Sequence, residues 1–248
     1  MSLTLTQKVN DFALRSFRDT ADKDYIHARM AYRAELFPQF HWSALHTLEK
    51  YAKCIAILTR TPKPKNTIKH EIQRSLDLVS DKVNINLSEP TQKFINRLEQ
   101  FGARFRYLEI SWSIHECELP MLDRAVWELR RYCNANLYNY KDNQFISTNP
   151  EILESIKEVQ LPTKENTIVT GGYIEKVLDN RLSSTRPYLV WCNLFYSASN
   201  RKSVFTKRMF MGENAPFFLH PEIIDEVSKY TFVANDVRKA YKKDQSSN

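Results

Sequence analysis

The sequence predicts a mainly α-helical protein, and three observations carry that expectation. Apolar residues recur at three- and four-residue spacing through most of residues 3–133, the period of a helix with one buried face. Helix start signals precede several of these stretches: Thr20, Ser88-Glu89-Pro90, Pro120, Asn149-Pro150-Glu151 and Pro221. Glycine occurs only four times in 248 residues, at 102, 171, 172 and 212. Glycine supplies the positive φ that tight turns and phosphate-cradling loops need, so a chain this poor in it is unsuited to a fold of many hairpins.

In order along the chain, Leu5, Val9, Phe12, Ala13 and Phe17 mark a first, weakly amphipathic helix. Thr20 is placed to cap a second, in which Tyr25, Ala28, Tyr32 and Leu36 share a face, and Pro38 interrupts it. A longer helix carries Trp42, Leu45, Leu48, Ala52 and Ile55 to about Leu58, before the proline-rich basic loop TRTPKPKNT. A short helix opens near Lys69, with Ile72, Leu76 and Val79 on one face. Ser88-Glu89-Pro90 starts the next, which continues or breaks near Gly102, and Pro120 starts the last, bearing Leu122, Val126, Leu129 and Cys133. Five or six helices on short loops are a bundle pattern.

Composition shifts after about residue 140, so 1–140 is expected to form the bundle and 141–248 a smaller helical or α+β domain. Within the latter, 173–180 reads as helix, and YLVWCNLFYSA as a buried helix or a strand, with the spacing of Leu189, Cys192, Phe195 and Tyr196 favouring helix. SVFTKRMFM could be a strand. Pro221 opens a helix through Tyr230, and KYTFVANDVRKAYKK is strand or helix.

Several function classes are poorly served by this sequence. It has no GxGxxG or GxxxxGK[ST], which argues against the common glycine-loop nucleotide folds. Its four cysteines lie far apart, and no HExxH or i,i+4 histidine pair occurs, so neither metal nor cofactor is expected. There is no GxSxG nucleophile elbow. No run approaches the ~18 apolar residues of a membrane span, and MSLTLTQKVNDF does not read as a secretory leader; a non-membrane, cytoplasmic protein is expected. The net charge of +7 permits an anionic partner without requiring one. Arg186, Asn193, Arg201, Lys202, Lys207 and Arg208 interleave with aromatics, which suits phosphate contact and base stacking, although a core with a wet basic rim is the simpler reading.

One block is more distinctive. Ala44, Glu49, Lys50 and Lys53 stand in an Ala-x-x-x-x-Glu-Lys-x-x-Lys pattern on the long helix, with Ala28-Arg29 on the helix before it. Lys69-His70-Glu71-Ile72 opens the third helix, and Arg106-Tyr107 follows the fourth. Over roughly residues 20–140 these features resemble the HEPN family. The resemblance implies an antiparallel helical bundle, a nucleotide or RNA ligand, and homodimerisation. The ligand-binding residues it implies are Glu49, Lys50, Lys53, Lys69, His70 and Arg106, and of these Lys50, Lys53, Lys69 and His70 would converge on one end of the bundle and face an anion.

Read from the residues alone, Glu49 and Lys53 are an i,i+4 pair worth ~0.2–0.5 kcal/mol on a helix surface. Ribonucleases of the family carry an arginine followed after four to six residues by a histidine. None of the six histidines here has an arginine at that spacing. The expectation is therefore a nucleotide- or RNA-binding accessory module with no catalytic residue assigned. The alternatives are a divergent ribonuclease using His70 with Lys69 or Arg106, or a protein-binding component of a toxin–antitoxin or defence system.

Overall fold

A computed structural model describes residues 4–62, 71–115, 117–134, 169, 171–197, 204 and 210–245. The described chain is mainly helical. Helix α1 (Leu5–Ala13) begins at a reciprocal capping box: Thr4 Oγ1 accepts from the Gln7 N–H, and Gln7 Oε1 accepts from the Thr4 N–H at 2.8 Å. The chain then passes through a π-helical turn (Leu14–Arg18) directly into α2 (Asp19–Arg33). The expected second start at Thr20 is thus not used. Its hydroxyl instead donates back to the Ser16 carbonyl at 2.7 Å, satisfying itself within a continuing helix.

A short connection folds the chain back into α3 (Phe37–Leu58), the central element. Pro38 sits in its first turn, where the missing N–H costs nothing, so the break falls at 34–36 just before the proline. Phe37, Phe40, Leu45, Leu48, Tyr51 and Ile55 of α3 are fully buried. Around it pack α1, α2, α4 (Ile72–Val79) and α7 (Glu118–Arg130), with the run from α5 (Glu89–Arg97) through a π turn (Leu98–Gly102) into the short α6 (Ala103–Phe105). Ser88 does precede α5, but its N–H and hydroxyl both donate to Glu128 of α7 at 2.8 and 2.7 Å, so it ties two helices together rather than capping one.

The shortage of glycine has a visible consequence. Three helices end in the two-bond motif that normally places glycine in the left-handed region, and none of the three has one. Glu35, Arg60 and Leu108 take φ of 60°, 53° and 52° instead. At each, the next residue's N–H reaches back five positions: Leu36 to Ala31, Thr61 to Ala56, and Glu109 to Arg104.

The main core runs on beyond residue 140. The expected boundary near 141 and the helix expected after Asn149 lie outside the described residues. Ile174 and Val177 of α8 (Tyr173–Asp179), Leu189 of α9 (Arg186–Val190), and Tyr196 are buried with the bundle helices. The helix expected across YLVWCNLFYSA is cut to its first residues, because the chain leaves α9 at Trp191 (ψ 121°) and Cys192 turns left-handed (φ 48°). A smaller core of Phe217, Ile224, Val233 and Val237 joins α10 (Pro216–Leu219), α11 (Ile224–Val227) and α12 (Asn235–Gln245).

This satellite docks on the bundle through an antiparallel strand pair, β1 (Trp112–His115) with β2 (Phe210–Glu213), in which Trp112 faces Glu213. β2 overlaps the last two residues of SVFTKRMFM, where a strand is expected, while β1 falls in a stretch for which the sequence offers no strand signal. Arg104 of α6 adds an ion pair to Asp236 of α12. No described helix is long and apolar enough to cross a membrane.

Candidate functional site

Two regions concentrate charge, one sealed and one open. In the sealed region, α2 presents Asp22, Tyr25 and Arg29 at i, i+3 and i+7 toward α7, and all three are fully buried. Arg130 of α7 donates to both oxygens of Asp22, from Nε at 2.7 Å and Nη2 at 2.8 Å. The same guanidinium donates to both oxygens of Glu175 of α8, at 2.7 and 2.6 Å. Asp22 also accepts from the Tyr51 hydroxyl at 2.6 Å and from the N–H groups of Tyr173 and Ile174 at the start of α8. Gly172 leaves room for this pair, since a Cβ at that position would displace the Arg130 guanidinium and the Glu175 carboxylate from where they meet.

One turn along, Arg29 donates to Asp123 of α7 and to the carbonyls of Tyr188 and Trp191 at the end of α9. Tyr25 donates to the same Asp123 oxygen at 2.6 Å, and Asn193 donates to Tyr25 at 2.8 Å. Residues 171–193 are therefore fastened to the bundle by buried polar contacts as well as by apolar packing.

The two buried aspartates differ for a countable reason. Burial pushes the Asp22 carboxyl up, but the Arg130 charge and the bonds from Arg130 and Tyr51 outweigh it and hold the group below its ordinary value. Burial also pushes the Asp123 carboxyl up, and Arg29 and Tyr25 reverse this only in part, leaving it raised. Asp22 accepts hydrogen bonds on both oxygens, whereas Oδ2 of Asp123 has no partner. Burial and the Asp123 charge together raise Tyr25 well above the ordinary phenol value, so it remains a hydrogen-bond donor. A second sealed group joins His41 to the Phe37 carbonyl and to Glu118 at 2.8 Å, with Arg97 beyond Glu118 at 2.6 Å.

The open region contains residues expected from the sequence, in a changed arrangement. Lys69 and His70 lie outside the described residues. Lys50 does not join Lys53 as a bare cationic pair. It crosses to α2 and bonds Asp24 at 2.6 Å, while Lys53 bonds Glu49 at 2.5 Å. Glu49 is only 7 % exposed and also approaches His46 at 3.5 Å. Charge on this stretch of α3 is thus largely neutralised in place.

Arg106 is different. Among the described residues it forms no ion pair, and its exposed guanidinium lies 4.0 Å from the Trp42 ring centroid and 4.3 Å from that of Tyr107. The indole of Trp42 in turn meets His46 edge-on at 4.0 Å. Tyr107 is 66 % exposed. Its ring is shared with a cleft of about 610 Å³ between residues 107–109 and the satellite, walled by Phe217, Phe232 and Val233 and holding Glu109. Leu108, in its left-handed conformation, turns the chain between Arg106 and Glu109.

Sequence reasoning singled out Arg106 but not its partner Trp42, which it assigned to the core stripe. It overlooked Asp22, Asp123, Arg130 and Glu175. The signal for the first was present: Arg18, Asp22, Tyr25 and Arg29 recur every three or four residues on the same face as Ala21, Ala28 and Tyr32. A polar stripe inside an apolar one calls for buried partners. Of the aromatic and basic stretch after Arg181, Asn193 and Tyr196 are buried, Tyr188, Trp191 and Phe195 are half-buried, and Arg186 donates to the Leu178 carbonyl at 3.0 Å; Arg201, Lys202, Lys207 and Arg208 lie outside the described residues. Compared with known proteins, the chain matches no family model, no curated protein and no solved structure.

Proposed function

We propose that this chain is a nucleotide- or RNA-binding accessory module on a HEPN-like helical bundle, and that its ligand meets Arg106, Trp42 and Tyr107. The observation that carries this reading is the state of Arg106. Among the described residues it is an exposed cation that pairs with no acid; it donates to the Tyr107 hydroxyl and sits among aromatic rings at the edge of a cleft of ligand size. A guanidinium can bond phosphate oxygens bidentately, and an exposed ring offers a face on which a base can stack. Lys50 and Lys53 contribute less, because each would have to leave a carboxylate before meeting a phosphate.

Binding of labelled single-stranded RNA, followed by anisotropy over a range of salt, tests the reading. The wild-type protein should bind at low salt and weaken steeply as salt rises. Arg106→Ala should lower the slope of log K against log salt by about 0.7–1, and Tyr107→Ala should weaken binding roughly tenfold. Absence of binding at low salt, or an unchanged slope in Arg106→Ala, would overturn it.

A further inference from the structure

The cleft beside Arg106 has few polar side chains in its described lining: the Glu109 carboxylate and the hydroxyls of Thr231 and Tyr107. Its floor and walls are apolar or aromatic, formed by Leu108, Phe217, Val233 and the strongly exposed rings of Tyr107 and Phe232 (83 % exposed). Two solvent-facing rings lining a 610 Å³ space suit a flat, aromatic, small occupant rather than a polypeptide helix, whose diameter with side chains is ~10–12 Å.

Among the described residues, Glu109 is the one charged side chain lining the cleft, and no lysine or arginine joins it. Burial raises its carboxyl above the usual range and Arg104 reverses this only in part, as expected for a carboxylate with water partly excluded. Arg104 itself is held by Asp236. The cleft therefore offers two adjacent acceptor oxygens inside and a guanidinium outside.

We propose that this cleft takes a guanine base, with Glu109 accepting hydrogen bonds from the ring N–H and the exocyclic amino group, and with Arg106 meeting the attached phosphate. The assignment rests on the nucleotide-binding reading above and names the base for that same site. Guanine presents two neighbouring donors on one edge, which match the two oxygens of one carboxylate. Adenine and cytosine present a donor beside an acceptor, and that acceptor would face a carboxylate oxygen. Inosine keeps the ring N–H and loses the amino group, so it isolates the second bond.

Titration of the full chain with GMP, IMP, AMP and UMP at neutral pH, read by calorimetry, tests the proposal. GMP should bind about tenfold more tightly than IMP and at least as far above AMP. Glu109→Gln is close to isosteric and should abolish the GMP-over-IMP preference while retaining the binding that comes from stacking and phosphate contact. Phe232→Ala removes a ring that is exposed in the folded protein, so folding should persist while GMP affinity falls several-fold. Equal affinities for GMP and AMP in the wild type would overturn the base assignment and leave the nucleotide-binding reading standing. So would a guanine preference surviving Glu109→Gln. If no nucleotide binds the wild type, and RNA does not bind either, both fail together.

Discussion

Arg130 and Arg106 are both arginines close to aromatic rings, yet their surroundings make them opposites. Arg130 is fully buried, lies 5.9 Å from the Tyr196 ring centroid, and spends its donors on Asp22 and Glu175. Arg106 is exposed, lies closer to two rings, and meets no carboxylate among the described residues. Proximity to a ring does not distinguish a structural cation from one available to a ligand. What distinguishes them is whether the donors are already spent and whether water can reach them. In the sealed region burial and pairing make each group depend on its partners. In the open region removing a cation should have little effect on folding, and on the proposed reading its effect should fall on binding.

The sharpest break of this comparison lies at Asp22. Asp22→Asn removes the charge that answers Arg130 and places an amide donor near a guanidinium, so unfolding free energy should fall by about 3–5 kcal/mol in urea titration. A loss no larger than that of a surface substitution would mean that the sealed network is not what fastens residues 171–193.

The same group sets a pH dependence. Its folded value lies below its unfolded one, so its stabilisation is present above the unfolded value near 3.8 and is lost as pH falls through the folded value. Wild-type stability should therefore drop steeply below about pH 4, and the drop should be shallower in Asp22→Asn, as followed by the urea midpoint.

Smaller effects test the surface. Glu35 is exposed and left-handed at the end of α2. Glu35→Gly relieves that conformation, against a larger entropy in the unfolded chain. The expected net gain is about 0.5–1 kcal/mol, visible as a rise in Tm. A loss of stability would show that the side chain does something the backbone geometry does not explain.

Last, Lys53→Ala deletes one half of a partly exposed pair on α3. It should change stability by less than about 0.5 kcal/mol and should weaken RNA binding far less than Arg106→Ala does. Equal weakening by the two variants would put the ligand along α3 and erase the distinction between the regions.

Much of the helical layout was legible because it is a local property. The apolar stripe of α3, the starts of α5 and α7, and the span of α8 follow from spacing, proline position and first-turn charge. The chain from 5 to 33 was harder to read, because Thr20 carries a capping residue's chemistry yet satisfies its hydroxyl on the preceding turn. The three helix ends at Glu35, Arg60 and Leu108 carry no glycine signature to find. β1 was hidden because its partner is about a hundred residues away, and a four-residue strand has little pattern of its own.

The site divides along the same line. Sequence named Glu49, Lys50, Lys53 and Arg106 as candidate ligand-binding groups, but charge alone does not say which of them are neutralised. Asp24 and Glu49 decide that for the lysines, and only the packed helices show it.

By itself, then, the sequence determined a helix-rich chain, its main apolar faces and its supply of charged side chains, since these depend on residue type and near-neighbour spacing. Tertiary structure alone decided which charges are spent. The partners of Asp22, Arg29 and Arg130, and the Trp42 ring beside Arg106, come from elements dozens to more than a hundred residues away, and the burial of the first three exists only once α2, α7 and residues 171–193 have closed on one another.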